Sequence, residues 1–133
     1  MMQTPIMTTP PASSPVTLAE AKAHLRVDSS HDDLLIQGLI DAATAHLDGY
    51  SGVLGRCLIE QVWTVSFYDW PANGYLRLPF PDVSAVTVKF FDAGNVENEV
   101  DAGDVSIVQD ERGSLVRFSD DYSYPSLYDD RDD

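Results

Sequence analysis

Apolar residues recur at helical spacing in the first half of the chain, and polar residues lie between them. The shared face holds Ile36, Leu39, Ile40, Ala43, Leu47 and Tyr50, while Asp41, Thr44 and Asp48 lie off it. A stripe of this width predicts an amphipathic helix that buries one side. Its start is indicated by Asp28-Ser29-Ser30 followed by Asp32 and Asp33, because acidic side chains are favoured in the first turn.

A shorter helix is predicted before it. Thr17 and Glu20 form a T-x-x-E capping box, in which the hydroxyl and the carboxylate each satisfy one backbone N–H at the helix start. Leu18 and Leu25 then share a face, and the helix is expected to end near Val27. The pattern therefore predicts two helices within residues 17–50.

After residue 58 the period of the pattern changes from 3.6 to 2, which is typical of strands. Strands are predicted at 59–67, 75–78, 86–90, 105–108 and 115–118, with turns rich in Gly, Pro, Asn and Asp between them. The last two strands flank Glu111-Arg112-Gly113 and form a hairpin. Two helices followed by a small antiparallel sheet at 58–118 give an α+β fold, in a single domain at 16–119.

Both ends of the chain are predicted to lie outside this domain. Residues 1–15 carry four prolines and no charged side chain, which favours a flexible arm and lacks the basic start of a secretory signal. Residues 120–133 form an acidic tail that contains Tyr122, Tyr124, Leu127 and Tyr128. Tyrosines of this kind anchor disordered peptides to partners, so the tail is either loose or a docking peptide.

The charge is strongly negative and unevenly placed. The net charge is -14, and residues 59–133 hold 16 of the 22 acidic side chains. Because affinity for nucleic acid rests on Lys and Arg replacing counterions, a DNA-gripping role is disfavoured. No apolar run approaches the roughly 20 residues that a membrane span needs. The single Cys57 forms no internal disulfide and fits a reducing cytoplasm.

No residue pattern indicates catalysis. His24, His31 and His46 lack the spacing of a zinc site, and neither a nucleophile elbow nor a phosphate loop occurs. Residues 92–104 are rich in the oxygen donors that calcium prefers but lack the EF-hand spacing. We predict no enzyme activity, no metal site and no cofactor. A monomeric acidic binding module, of a calcium-dependent kind, is the alternative to an assembly role.

Five segments in order resemble the head-tail connector (adaptor) family of tailed phages, prophages and gene transfer agents. They are the capping-box helix at 17–27, the acidic turn at 32–36, Tyr50-Ser51-Gly52, the strand entry Gly55-Arg56-Cys57-Leu58-Ile59-Glu60-Gln61-Val62-Trp63 and the 77–86 hairpin. Two departures from the family pattern stand out. Val53-Leu54 stretches the passage between the Y-x-G and G-R motifs, and the acidic tail stands where family members continue into further helices.

The resemblance implies a structural virion protein at the head-tail interface, made in the cytoplasm of a bacterial host. Its copies would form a closed ring between a twelvefold portal and the stopper or tail, and the ring would continue the DNA channel without binding DNA specifically. An acidic lumen would let DNA slide, because like charges repel. We expect some of five loop acids to line the channel, and the tyrosine-bearing tail to dock on the portal. The five acids are Asp92, Glu97, Glu99, Asp101 and Asp104, and the tail residues are Tyr122, Tyr124, Leu127 and Tyr128.

Overall fold

The computed structural model describes residues 2–129, and within them two helices and seven short strands confirm the predicted α+β class. The elements are β1 (Ile6–Thr9), α1 (Leu18–Leu25), α2 (Asp33–Leu47), β2 (Val62–Thr64), β3 (Tyr75–Arg77), β4 (Lys89–Phe91), β5 (Glu97–Glu99), β6 (Val105–Asp110) and β7 (Gly113–Phe118). The strands form three separate antiparallel sheets, ordered β1-β2, β3-β7-β6 and β4-β5. The prediction of one small sheet is therefore wrong in its arrangement.

The chain divides into two compact units. We call Pro5–Thr64 the helical unit, and the described residues on either side of it the sheet unit. The helical unit contains both helices and the β1-β2 pair, and the sheet unit contains the other five strands. A single connector domain at residues 16–119 stays a prediction.

The start of α1 in the helical unit is the predicted capping box. The Thr17 hydroxyl accepts a hydrogen bond from the Glu20 backbone N–H at 3.1 Å, and the Glu20 carboxylate accepts one from the Thr17 N–H at 2.8 Å. The pKa of Glu20 is lowered first by the bond from the Thr17 N–H and then by the Thr17 hydroxyl, which donates to the same carboxylate at 2.9 Å. The helix ends at Arg26, whose φ of 58° is left-handed. Lys22 then contacts Asp33 at the start of α2, with 2.7 Å between Nζ and Oδ1.

Helix α2 buries a narrower face than its pattern predicts. Ile36 and Ile40 are buried, but Leu39 is 61% exposed, and Leu47 and Tyr50 are also exposed. The six-residue buried stripe is therefore wrong beyond its two isoleucines. The helical unit consequently has a small core and leaves much apolar side-chain surface uncovered.

Part of the predicted flexible arm is a strand. β1 pairs antiparallel with β2, with Ile6 opposite Thr64, and all four of its residues are exposed. Pro5 and Pro10 bracket the strand, which is tolerated because proline fits the ends of edge strands. Residues 6–9 of the predicted arm are therefore part of a β-sheet, because they pair with a strand more than fifty positions further along the chain.

The core of the sheet unit lies on strand β7 and the segment before β6. Val100, Val116 and Phe118 are its buried residues, and partly buried side chains pack around them. The predicted hairpin is confirmed. In the pairing of β6 with β7, Val105 lies opposite Phe118 and Asp110 lies opposite Gly113, and a two-residue turn joins the strands. Gly113 follows that turn with a φ of 118°, a conformation that glycine adopts most readily.

Several predicted strands differ from those observed. Of the strand expected at 59–67, only β2 is present. The strand expected at 86–90 is shorter and lies later, as β4 (Lys89–Phe91), and β5 was not predicted. The residues before β2 are held by side-chain hydrogen bonds to Asp48 instead of by a strand ladder. β5 has the sequence Glu-Asn-Glu, and these residue types are depleted in strands.

Candidate assembly surfaces

The acidic residues predicted to line a channel lie in one stretch of the sheet unit. Glu97 and Glu99 belong to strand β5, so their predicted placement in loops is wrong. Alternate residues of a strand face the same side, and both carboxylates therefore project from one face of the β4-β5 hairpin. Glu97 pairs with Lys89 on β4, with 3.1 Å between Oε1 and Nζ, and both side chains are half exposed.

Asp92 has a local structural role in this hairpin. Its Oδ1 accepts hydrogen bonds from the backbone N–H groups of Gly94 at 2.9 Å and Val96 at 3.1 Å, and Oδ2 accepts one from Asn98 Nδ2 at 2.9 Å. The pKa of Asp92 is lowered, first by the Val96 bond and then by the Asn98 bond. Both carboxylate oxygens therefore hold the β4-β5 turn.

Asp101 and Asp104 have similar roles in the turn before β6. Asp101 Oδ1 accepts from the Gly103 N–H at 2.8 Å, and Asp104 Oδ1 accepts from the Ser119 hydroxyl at 3.3 Å. Glu97, Glu99 and Asp101 are exposed, whereas Asp92 and Asp104 are half-buried. Within residues 2–129, no three acidic, histidine or cysteine side chains are grouped so that they could hold a metal ion.

The first tyrosines of the acidic tail pack on the sheet unit. The ring centroids of Tyr122 and Tyr124 lie 6.0 and 5.4 Å from that of Trp70, and both are 5.5 Å from that of Phe118. Trp70 Nε1 also donates a hydrogen bond to the Pro125 carbonyl at 2.7 Å. Burial, and then the nearby charge of Asp104, raise the pKa of Tyr122.

The tail continues along strand β4. Leu127 forms an antiparallel bridge with Asp92, and the Tyr128 N–H donates to the Phe91 carbonyl at 3.0 Å. We call residues 122–128 the C-terminal strap. Portal docking by its tyrosines and Leu127 stays a prediction, and any such docking starts from a strap already bound to its own chain. The end of the predicted tail, 130–133, lies outside the described residues.

Helix α2 has a second apolar face that was not predicted. Leu34, Leu35 and Leu39 are 91%, 62% and 61% exposed, and Gly38 and Ala42 between them are also exposed. We call these five residues the outer face of α2. At 3.6 residues per turn, Gly38 and Ala42 lie on the side away from Ile36 and Ile40, and Leu39 borders the buried isoleucines. Their signal in the sequence is the apolar run at 34–36, which is too broad for a single core-facing stripe.

The motif residues at the end of α2 form a network that fastens the following loop. Asp48 accepts hydrogen bonds from the Leu58 N–H at 2.7 Å and from Gln61 Nε2 at 3.0 Å. Gln61 Oε1 in turn accepts from Trp63 Nε1 at 2.9 Å. The glutamine and tryptophan of the strand-entry motif therefore maintain the fold.

Two glycines allow this loop to pack closely. Gly49 has a φ of 77°, and a Cβ added there would lie 3.3 Å from Trp63 Cζ2. A Cβ on Gly52 would lie 2.3 Å from the Asp48 carbonyl oxygen, which is closer than real contacts allow. The glycine of the Tyr50-Ser51-Gly52 motif is therefore required by the backbone of Leu47 and Asp48, which leaves no room for a side chain at position 52.

These features define a small α+β protein with two notable surfaces, the uncharged outer face of α2 and the β4-β5 hairpin that carries Glu97 and Glu99. Residues 15–68 match the family model described as phage gp6-like head-tail connector protein. The match covers less than half of the chain, and it supports the resemblance to head-tail connectors for the four motifs that lie within it, whereas the 77–86 motif lies outside it. Neither a curated protein nor a solved structure matches the chain.

The matched segment contains both helices, β2 and the Asp48–Gln61–Trp63 network. Neither α1 nor α2, the helices found in residues 2–129, is long and apolar enough to cross a membrane.

Proposed function

We propose that this chain is the subunit of a ring that joins the head of a tailed phage particle to its tail and continues the DNA channel between them. The observation that carries the proposal is the connector-family match over residues 15–68. Within the matched segment, Asp48, Gln61 and Trp63 hold the loop after α2, which suits a protein whose function is to present surfaces to other proteins.

The exposed apolar surface of the helical unit supports assembly. Besides the leucines of the outer face, Ile6 is 67% exposed and Val53 is 69% exposed. Monomeric proteins rarely expose large contiguous apolar patches, and such patches usually mark interaction sites. A ring also needs heterologous contacts, in which one face of each subunit meets a different face of the next.

The exposed acidic side chains on and just after the β4-β5 hairpin support a channel-facing role for part of the sheet unit. Glu97, Glu99 and Asp101 are exposed and project from one short stretch. Repeated around a ring, these carboxylates would repel the phosphates of passing DNA and keep it from adhering. Asp92 and Asp104 would contribute charge but are held in turns.

The C-terminal strap is our candidate for the portal contact. Tyr124 and Tyr128 remain 39% and 46% exposed although the strap is bound to the sheet unit. Partly exposed tyrosines are favoured at interfaces, because a rigid ring gives contact area and the hydroxyl can still bond water. The tail or stopper protein would meet the opposite end of the ring.

Deleting the coding sequence from a phage or prophage genome tests this function. Loss of the connector is expected to leave DNA-containing heads and free tails that do not join, and supplying the wild-type chain in trans should restore joined particles. Electron microscopy and infectivity give the two readouts. Normal particles from the deletion, or purified particles that lack this chain by mass spectrometry, would refute the assignment.

A further inference from the structure

We propose that the C-terminal strap covers a peptide-binding site of the sheet unit, and that this site takes an extended segment of a partner protein with aromatic residues and basic flanks. The strap is then an intramolecular occupant that the partner segment displaces. The inference goes beyond the proposed ring and does not depend on it, because the whole site lies within one chain. The strap itself shows which kind of segment fits.

The second edge of strand β4 provides the backbone part of the site. Successive residues of a strand direct their N–H and C=O groups to opposite edges. On one edge the Asp92 N–H donates to the Val96 carbonyl, and on the other the Phe91 carbonyl accepts from the Tyr128 N–H at 3.0 Å. A segment that adds to a sheet edge gains such main-chain hydrogen bonds whatever its sequence. The backbone part of the site is therefore open to a segment of another protein.

Aromatic side chains provide the selective part of the site. The ring centroid of Trp70 lies 6.0 and 5.4 Å from those of Tyr122 and Tyr124, and Phe118 lies 5.5 Å from both tyrosines. The indole Nε1 donates to the Pro125 carbonyl at 2.7 Å. A ligand therefore needs two aromatic side chains two positions apart and a free backbone carbonyl directly after the second.

The strap brings negative charge to a negative surface. Asp104 lies next to its start, where Oδ1 accepts from the Ser119 hydroxyl at 3.3 Å, and Asp92 bridges Leu127 near its end. Like charges placed side by side weaken an attachment. The strap is itself flanked by the acidic residues Asp120, Asp121 and Asp129.

The basic side chains closest in the fold are engaged in ion pairs. Arg117 contacts Asp120, with 3.1 Å between Nη2 and Oδ1, and Lys89 contacts Glu97 on the β4-β5 hairpin. A segment with Lys or Arg at the flanking positions would therefore be attracted to the carboxylates that repel the flanks of the strap. A tethered strap has an effective concentration on the order of millimolar, so a separate segment displaces it only by binding more tightly. Basic flanks supply that advantage.

Three labelled peptides and the purified full-length chain test the proposal. The acidic probe is the sequence of residues 120–129, and the basic probe carries Asp120→Lys, Asp121→Lys and Asp129→Lys. The control probe keeps these lysines but has serine in place of the four apolar and aromatic residues, which are Tyr122, Tyr124, Leu127 and Tyr128. Binding of the control probe therefore reports attraction by charge alone.

The receptors are wild type and a variant with an open strap, Tyr122→Ala with Tyr124→Ala, whose fold circular dichroism verifies. In fluorescence anisotropy at low salt, we expect this variant to bind the basic probe about tenfold more tightly than the acidic probe. The difference should shrink in about 0.5 M salt, and the control probe should not bind. Wild type should bind the basic probe about tenfold more weakly, because its own strap occupies the site.

Trp70→Phe, added to the variant with the open strap, locates the site. Loss of the indole donor should weaken binding of the basic probe about fivefold, whereas Tyr68→Ala should leave it unchanged. Equal binding of the basic and control probes, equal binding of the basic and acidic probes, or no effect of Trp70→Phe would overturn the inference.

Wild type gives a second measurement that needs no variant. An excess of the basic probe should displace the strap and speed hydrogen exchange at the Tyr128 amide, which donates to the Phe91 carbonyl. Unchanged exchange would contradict the inference. The connector function is tested separately by the genome deletion, so failure of one does not imply failure of the other.

Discussion

Trp70 joins the C-terminal strap to the core of the sheet unit, so its replacement tests whether the strap is bound. The indole ring lies 5.3 to 6.0 Å from four aromatic rings, and its Nε1 donates to the Pro125 carbonyl at 2.7 Å. Trp70→Phe keeps a ring in place but removes this donor. Trp70→Ala removes the ring contacts as well.

The expected losses follow from these contacts. One hydrogen bond contributes about 1 kcal/mol, and its loss leaves a partly buried carbonyl without this partner. The phenylalanine ring is also smaller and makes fewer contacts. Together, these two losses should lower the free energy of unfolding of Trp70→Phe by about 1–2 kcal/mol. Trp70→Ala should lower it by about 3–5 kcal/mol, as is usual for large aromatic residues in a packed core.

Urea unfolding followed by circular dichroism measures both losses, and hydrogen exchange at the Tyr128 amide reports on the strap itself. That amide donates to the Phe91 carbonyl and should exchange faster in both variants. Tyr68→Ala is the control, because Tyr68 is an exposed ring of the same unit at 65% exposure. A Trp70→Phe chain as stable as wild type, with unchanged Tyr128 exchange, would refute the account of the strap.

Three further predictions concern the rest of the molecule. The hydrogen-bonded Arg77 side chain lowers the pKa of Asp110 from its ordinary value of 3.8 to about 2. The ionised Asp110 therefore stabilises the folded chain fully above pH 3.8, and this contribution is lost as the pH falls towards about 2. Asp110→Asn should therefore be less stable than wild type at neutral pH and equal to it near pH 2 in urea titrations, and a deficit independent of pH would contradict this. Gly52→Ala should unfold the helical unit, because its Cβ would lie 2.3 Å from a backbone oxygen, whereas Gly38→Ala, in open space, should raise stability by about 0.5–1 kcal/mol in thermal unfolding. Calcium should leave the melting temperature of the chain unchanged, and a concentration-dependent rise would favour the binding-module alternative instead.

Local signals in the sequence predicted local structure well. The capping box of Thr17 and Glu20 formed because both partners lie within one helical turn. The β6-β7 hairpin formed around Glu111-Arg112, where two alternating strands flank a short turn. Gln61 and Trp63 of the strand-entry motif likewise act locally, because the tryptophan donates to the glutamine two positions before it.

Pairing between distant segments could not be read from the pattern. β1 is a strand only because it meets β2, and Glu97–Glu99 are extended only because they pair with β4. The strap likewise depends on Trp70, which lies 55 positions before the carbonyl of Pro125. A pattern of side chains indicates local period, but it does not identify the partner strand.

The candidate surfaces were predicted in part. The acidic residues do lie together in the sheet unit, although three of the five have a hydrogen-bonding role in turns. The outer face of α2 was missed because Leu39 fits the periodicity of the buried stripe, and periodicity alone does not tell which apolar side of a helix is covered. Leu34 and Leu35 extend the apolar surface beyond the buried isoleucines, and this width is the signal that could have revealed it.

Electron cryomicroscopy of the head-tail junction in an intact particle tests the central claim most directly. The account predicts a closed ring of this chain around the DNA, with Glu97 and Glu99 facing the channel. Density for a single copy, or for this chain away from the channel, would contradict the connector function. A ring in which these glutamates face outward would contradict the channel assignment.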